Sequence, residues 1–170
     1  MKKILLTLLF FILIVPSVHA RTVTYYFNAR NSTYDGTWTN PENTEDGSTG
    51  TYGSGTQNSV LELLGNTCPG TDLGTISKTE IRVYVEISDG SDQDLDAVST
   101  TGYESVVNVP VLGSPQWLGY FEATGVDTWQ EVVDMNLFID AGFTDAVDLY
   151  FYIGEIRVTY SSGKKVIMIN

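Results

Sequence analysis

Residues 78–88 alternate without interruption: Ile81, Val83, Val85 and Ile87 share one parity, and Glu80, Arg82, Tyr84 and Glu86 share the other. A side-chain period of two belongs to a strand with one face in a core and the other toward water, whereas a helix would scatter these apolar residues around its circumference. A second long run, residues 148–160, changes phase partway. Leu149, Phe151 and Ile153 have one parity, and after Gly154 the apolar set becomes Ile156, Val158 and Tyr160. A one-residue slip turns every side chain over, so a β-bulge or sharp bend is expected at Gly154, where glycine tolerates the backbone required.

The rest of the chain is organised in the same way. Val23, Tyr25 and Phe27 alternate with Thr24 and Tyr26, residues 59–64 form a short apolar run, and residues 136–140 resume as strand. Residues 40–58, rich in Gly, Thr and Ser, read as loop, as do Asn66, Pro69, Gly70 and Gly74. Residues 165–170 form a last apolar run after the turn Ser161-Ser162-Gly163. Helix is confined to a turn or two at Thr128-Trp129-Gln130-Glu131, a capping-box sequence that places Trp129, Val132 and Val133 on one face.

The first 20 residues are set apart from this pattern. Lys2 and Lys3, an apolar run from residue 5 to 15, Pro16 and then Val18-His19-Ala20 are laid out as a secretory signal peptide with cleavage after Ala20. The apolar run is short for a membrane span, and no cysteine stands at the cut to carry a lipid. The expected product is one secreted domain over residues 21–170. His19 is the only histidine, so processing removes the usual imidazole bases and His-ligated metal sites together. Loss of Lys2 and Lys3 takes the formal charge from −12 to −14. Such a charge repels phosphate backbones and anionic membranes, which excludes nucleic acid as a partner and suits divalent cations. Cys68 is the only cysteine, so no intrachain disulfide forms and stability rests on packing; an interchain disulfide stays open. Asn31-Ser32-Thr33 matches a glycosylation acceptor.

Trp38-Thr39-Asn40-Pro41-Glu42-Asn43, then Asp46-Gly47 and Tyr52, resembles the opening of small jelly-roll modules of secreted, cell-surface and phage-type structural proteins. Trp129 with Val132, Val133 and Leu137, and then residues 147–160 as a closing strand, follow in the expected order. The resemblance implies a two-sheet antiparallel sandwich used for binding or assembly, and it carries over no active site.

Two constellations stand out as candidate sites. Asp89, Asp92, Asp94 and Asp96 follow the strongest strand and can offer oxygens to Ca²⁺, although Ala97 and Tyr103 rule out an EF-hand. A solvated hairpin loop carries the same charges without a metal. Tyr26, Tyr84, Tyr150 and Tyr152 all point away from the inward faces of their strands, and Trp38 and Trp117 lie in Gly/Pro-flanked stretches. Sugars stack on such rings through their CH-bearing faces while polar neighbours hold the hydroxyls. Outward tyrosines also pair across strands or cover interfaces.

Carboxylate pairs such as Glu80 with Glu86 are the only opening for glycosidase chemistry, and no Gly-x-Ser-x-Gly elbow is present. The sequence therefore predicts an all-β, jelly-roll-like sandwich with a non-catalytic role: adhesion or structural assembly at a surface, self-associating and Ca²⁺-stabilised. A carbohydrate-binding module using Tyr84, Tyr150, Tyr152, Trp38 and Trp117 is the alternative, with a glycoside hydrolase third. Residues 22–27 and 166–169 are the apolar terminal strands that can complete a neighbour's sheet.

Overall fold

The computed structural model describes residues 19–33, 37–56, 59–87, 94–98, 104–108, 112–140 and 148–162, with 94–98 and 104–108 followed as backbone. The strands are β1 (Ala20–Tyr26), β2 (Trp38–Thr39), β3 (Gly53–Gly55), β4 (Val60–Leu64), β5 (Thr75–Ile87), β6 (Asp94–Val98), β7 (Glu104–Asn108), β8 (Leu112–Glu122), β9 (Asn136–Asp140) and β10 (Leu149–Ser161). They form two antiparallel sheets. The six-stranded sheet runs β2-β3-β10-β5-β8 with β1 also on β10, and the four-stranded sheet runs β4-β9-β6-β7. Strand β5 follows one edge of β10 along its length; on the other edge, β3 pairs with Leu149, Tyr150 and Phe151, and β1 takes over from Glu155.

The pairings are nested from the outside in: β1 with β10, β4 with β9, β5 with β8, β6 with β7. That winding is a jelly roll, with 1-10-5-8 in one sheet and 4-9-6-7 in the other. The inner faces are the ones the alternation marks, except at Ile153, which the displaced slip puts in register with outward Tyr84. Ile81, Val83, Val85 and Ile87 of β5 and Leu149, Phe151, Ile156 and Val158 of β10 share a buried core with Leu61 and Leu63 of β4 and Leu137 and Ile139 of β9. Each such side chain contributes about 1.5–3 kcal/mol on full burial. The one α-helical turn, α1 (Trp129–Val133), begins at a capping box: Glu131 donates its backbone N–H to the Thr128 hydroxyl, and its carboxylate accepts from the Thr128 backbone. Trp129 and Val132 are buried against the core, as the sequence predicts.

Four expectations change on contact with the structure. The slip in β10 lies between Phe151, paired with Val85, and Ile153, paired with Tyr84, so Tyr152 is the extra residue. Gly154 is instead regularly paired with Val83 and faces the core; a Cβ there would stand 2.9 Å from Leu137 Cδ2 and 2.9 Å from Phe27 Cδ2. Glycine is needed there for close approach of the two sheets. Residues 40–58, read as loop, contain β3 and a 3-10 turn, Pro41–Thr44, in which the Thr44 hydroxyl donates to the Pro41 carbonyl at 2.7 Å. Strand β8 was hidden by Gly113, Pro115 and Gly119, residues that a sheet tolerates at its edge. Finally, the acidic stretch is not all loop, because Asp94 and Asp96 belong to β6. The N-terminal run is used within its own sheet, paired with β10 from Ala20 to Tyr26. Residues 165–170 and residues 1–18 lie outside the described residues.

Candidate functional site

The outer face of the six-stranded sheet gathers aromatic side chains from successive strands. On β5, Tyr84 lies in register with Trp117 of β8, their ring centroids 5.2 Å apart. The ring of Tyr152, the extra residue of β10, lies beside Tyr84 at 5.3 Å. Tyr52, at the entry to β3, completes the group, 5.1 Å from Tyr150 and 5.2 Å from Tyr152. Interplanar angles of 50–86° make these edge-to-face and tilted contacts, the arrangement favoured by ring quadrupoles. Tyr152 is the most enclosed, at 7% exposure, and Tyr52 the most open, at 40%. The strip crosses β3, β10, β5 and β8, three interstrand spacings or about 14 Å.

Tyr52 is held in place by the segment the jelly-roll resemblance rested on. Asn40 adopts a left-handed backbone (φ 52°) that turns the chain into Pro41–Thr44. Asn43 then donates its side-chain amide to the Tyr52 carbonyl at 3.0 Å. Asp46 braces the same loop by accepting from the Ser48 backbone at 2.8 Å and from the Thr51 hydroxyl. Gly53 has no room for a side chain, since a Cβ would meet Thr44 Cγ2 at 2.8 Å.

Toward the other end of β5 and β10 the face becomes ionic. Arg82 donates to Glu155, its cross-strand partner, at 2.6 Å. Arg157 donates to Glu80 through Nε and Nη2 at 2.9 and 2.7 Å, and Lys78 donates to the same carboxylate at 2.7 Å. Burial pushes the Glu80 carboxyl up, but the hydrogen bonds from Lys78 and Arg157 outweigh it and hold the group below the usual carboxylate range. The two guanidiniums interleave with rings: Arg82 lies 3.9 Å from the Trp117 centroid and 5.0 Å from Tyr120, and Arg157 lies 3.3 Å from Tyr120. This ladder fixes the aromatic end against the ionic end.

At the aromatic end the polar groups are acidic. The Tyr152 hydroxyl donates to Glu86 at 3.4 Å, and Tyr150 donates to Asp148 at 3.3 Å. Burial first, and then the Glu86 carboxylate, push the Tyr152 phenol up to about 12. Tyr150 is raised by burial and by Asp148. Both phenols are therefore neutral donors at physiological pH.

Of the residues singled out in the sequence, Tyr84, Tyr150, Tyr152 and Trp117 come together on this face. Trp38 does not: its ring belongs to the hydrophobic core between the sheets, with a Gly55 Cβ position only 2.7 Å from its Cε2. Its Nε1 is the one buried side-chain polar atom without a hydrogen-bond partner among the described residues. Asp89 and Asp92 lie outside the described residues. Asp94 and Asp96 sit on β6 of the other sheet, Asp94 in register with Asp140 and Asp96 with Phe138. Among the described residues no three His, Cys, Asp or Glu side chains group as metal ligands. Glu80 and Glu86 stand six positions apart on one strand, about 20 Å along it, beyond the roughly 5–9.5 Å separation of glycosidase carboxylates.

Tyr52, Arg82 and Tyr120 are the members of the face that sequence reasoning missed as site residues. Arg82 carried a signal, since it shares the parity of Tyr84. Tyr52 and Tyr120 carried none, because their positions depend on the β3 and β8 registers. The fold and face define an all-β jelly roll with an aromatic strip across one sheet. Compared with protein-family models, with curated proteins and with solved structures, the chain gives no match.

Proposed function

We propose that the chain is an exported, non-catalytic recognition module that binds a glycan across the outer face of its six-stranded sheet. The observation that carries this reading is the contiguity of Tyr150, Tyr52, Tyr152, Tyr84 and Trp117, each ring 5.1–5.3 Å from the next. Aromatic faces offer apolar area to the CH faces of pyranoses, and Glu86 and Asp148 beside the tyrosine hydroxyls offer acceptors to sugar hydroxyls. Export rests on the layout of residues 1–20, and the charge of the chain keeps anionic polymers and membranes away.

A glycan array probed with the purified chain tests the proposal. Hits that disappear in Tyr84→Ala and Trp117→Ala, both checked for native melting, support it. An array without hits, or hits that both variants keep, removes it. Surface assembly remains the second reading, because tyrosine, tryptophan and arginine are also the residues of protein interfaces. It predicts dimers or larger species by light scattering at high concentration, which Trp117→Ala should abolish.

A further inference from the structure

We infer that the ligand of the aromatic face is a neutral, linear oligosaccharide rather than a single sugar or a charged glycan; the inference rests on the glycan reading above and specifies its ligand. Three observations carry it.

The first is charge. The cations of this face, Lys78, Arg82 and Arg157, are each committed to a carboxylate, at 2.7, 2.6 and 2.7 Å respectively. Arg82 and Arg157 also have their planar faces against Trp117 and Tyr120. A uronate or sulfate would have to share each of these cations with a carboxylate already hydrogen-bonded to it, so the positive charge it meets is already offset. Glu86 and Asp148 at the aromatic end repel an anion as well. The carboxylates are acceptors, so they suit a ligand made of hydroxyl donors.

The second is length. The rings run across the sheet from β3 to β8 and not along one strand. A strip of about 14 Å matches roughly three linked sugar rings, and a single pyranose would leave most of it unused. The third is tilt. Neighbouring rings meet at 50–86°, so no neighbouring pair forms one flat platform. Contact area accumulates only as a chain passes successive rings, and affinity grows with the number of residues bound.

Calorimetric titration of the purified chain with defined probes tests this. The panel is glucose, cellobiose, cellohexaose, xylohexaose and mannohexaose against hexagalacturonate and a heparin hexasaccharide. The expected result is saturable binding of at least one neutral hexamer. Its matching dimer should bind about tenfold or more weaker, a difference of about 1.4 kcal/mol, and neither anionic hexamer should give heat above dilution. Tight binding of an anionic hexamer that Trp117→Ala abolishes overturns the inference and leaves the glycan face standing. A monosaccharide or disaccharide that binds as well as its hexamer overturns the length argument in the same way. Silence across this panel and across a full glycan array overturns the inference together with the reading beneath it.

Discussion

Replacing Gly154 by alanine tests how the two sheets meet. A Cβ at this position would lie 2.9 Å from Leu137 Cδ2, 2.9 Å from Phe27 Cδ2 and 3.4 Å from Phe151 Cζ. Phe27 and Phe151 are fully buried and Leu137 is 2% exposed, so none can swing into solvent. Overpacking of this kind costs about 1–3 kcal/mol. Removing a glycine from the unfolded chain returns about 0.4–1 kcal/mol, so the net loss is about 0–2.6 kcal/mol, centred near about 1.3 kcal/mol. In a domain of this size the central value lowers the melting temperature by about 3–5 °C. Leu137 comes from β9 of the four-stranded sheet and Gly154 from β10 of the six-stranded sheet, which makes the Leu137 contact an intersheet one. Truncation to Leu137→Ala, itself costing about 2–5 kcal/mol, relieves one of the two 2.9 Å contacts and leaves the one with Phe27. In a thermal-unfolding double-mutant cycle, Gly154→Ala should therefore cost less in the Leu137→Ala background than in the parent. A Gly154→Ala protein that melts at or above the parent, or a cycle with no coupling, would refute this packing of the sandwich.

Other consequences are equally direct. Glu80 is held below the ordinary carboxylate range, so its contribution is present above that range and is lost as pH falls through the depressed value. The parent should lose melting temperature steadily below about pH 5, and Glu80→Gln should show a shallower acid slope. At neutral pH the same variant leaves Arg157 and Lys78 without their carboxylate and should be less stable by about 1–3 kcal/mol in denaturant unfolding. Thr128→Ala removes the cap of α1 and should cost about 1 kcal/mol. Because the Thr128 hydroxyl is the first cause of the lowered Glu131 carboxyl, that group's pKa should rise toward its ordinary value in an NMR titration of the variant. Arg82→Gln removes both the Glu155 pair and the stacking on Trp117; it should broaden the Trp117 ring signals and weaken glycan binding while leaving the protein folded.

Local pattern carried much of the fold. The alternation along β5 identified its inner and outer faces before any partner strand was known, and Thr128 with Glu131 marked the α-helical turn α1. Parity likewise sent Tyr84 and Tyr150 outward. What parity could not do was place the extra residue of β10. Any position between Phe151 and Ile156 restores the phase, and only the pairing of Phe151 with Val85 and Ile153 with Tyr84 selects Tyr152. Tyr152 is outward in either case; the choice moves Ile153, expected beside Leu149 and Phe151 but found in register with Tyr84.

Trp38 was misplaced for a related reason. Its Gly/Pro-flanked surroundings suggest an exposed loop, yet the ring is enclosed by contact with Gly55, which is adjacent through the β2-β3 pairing and distant in local pattern. Tyr52 and Tyr120 stayed hidden because β3 is three residues long and β8 is interrupted by breakers. Edges of a sheet accept sequences that look like loops.

The chain contains three tryptophans, and the structure gives each a different place: Trp38 in the core, Trp129 in α1 with its indole nitrogen donating to the Gly74 carbonyl at 2.7 Å, and Trp117 on the aromatic face. Their indole N–H resonances, followed by NMR while a neutral glycan hexamer is titrated in, test the central claim most directly. A glycan seated on the strip should shift the Trp117 signal saturably and leave those of Trp38 and Trp129 in place. A Trp117 signal that stays still while the hexamer binds, or a shift confined to Trp129 and the groove it lines with Asp72 and Asp127, would put the ligand elsewhere and contradict the account.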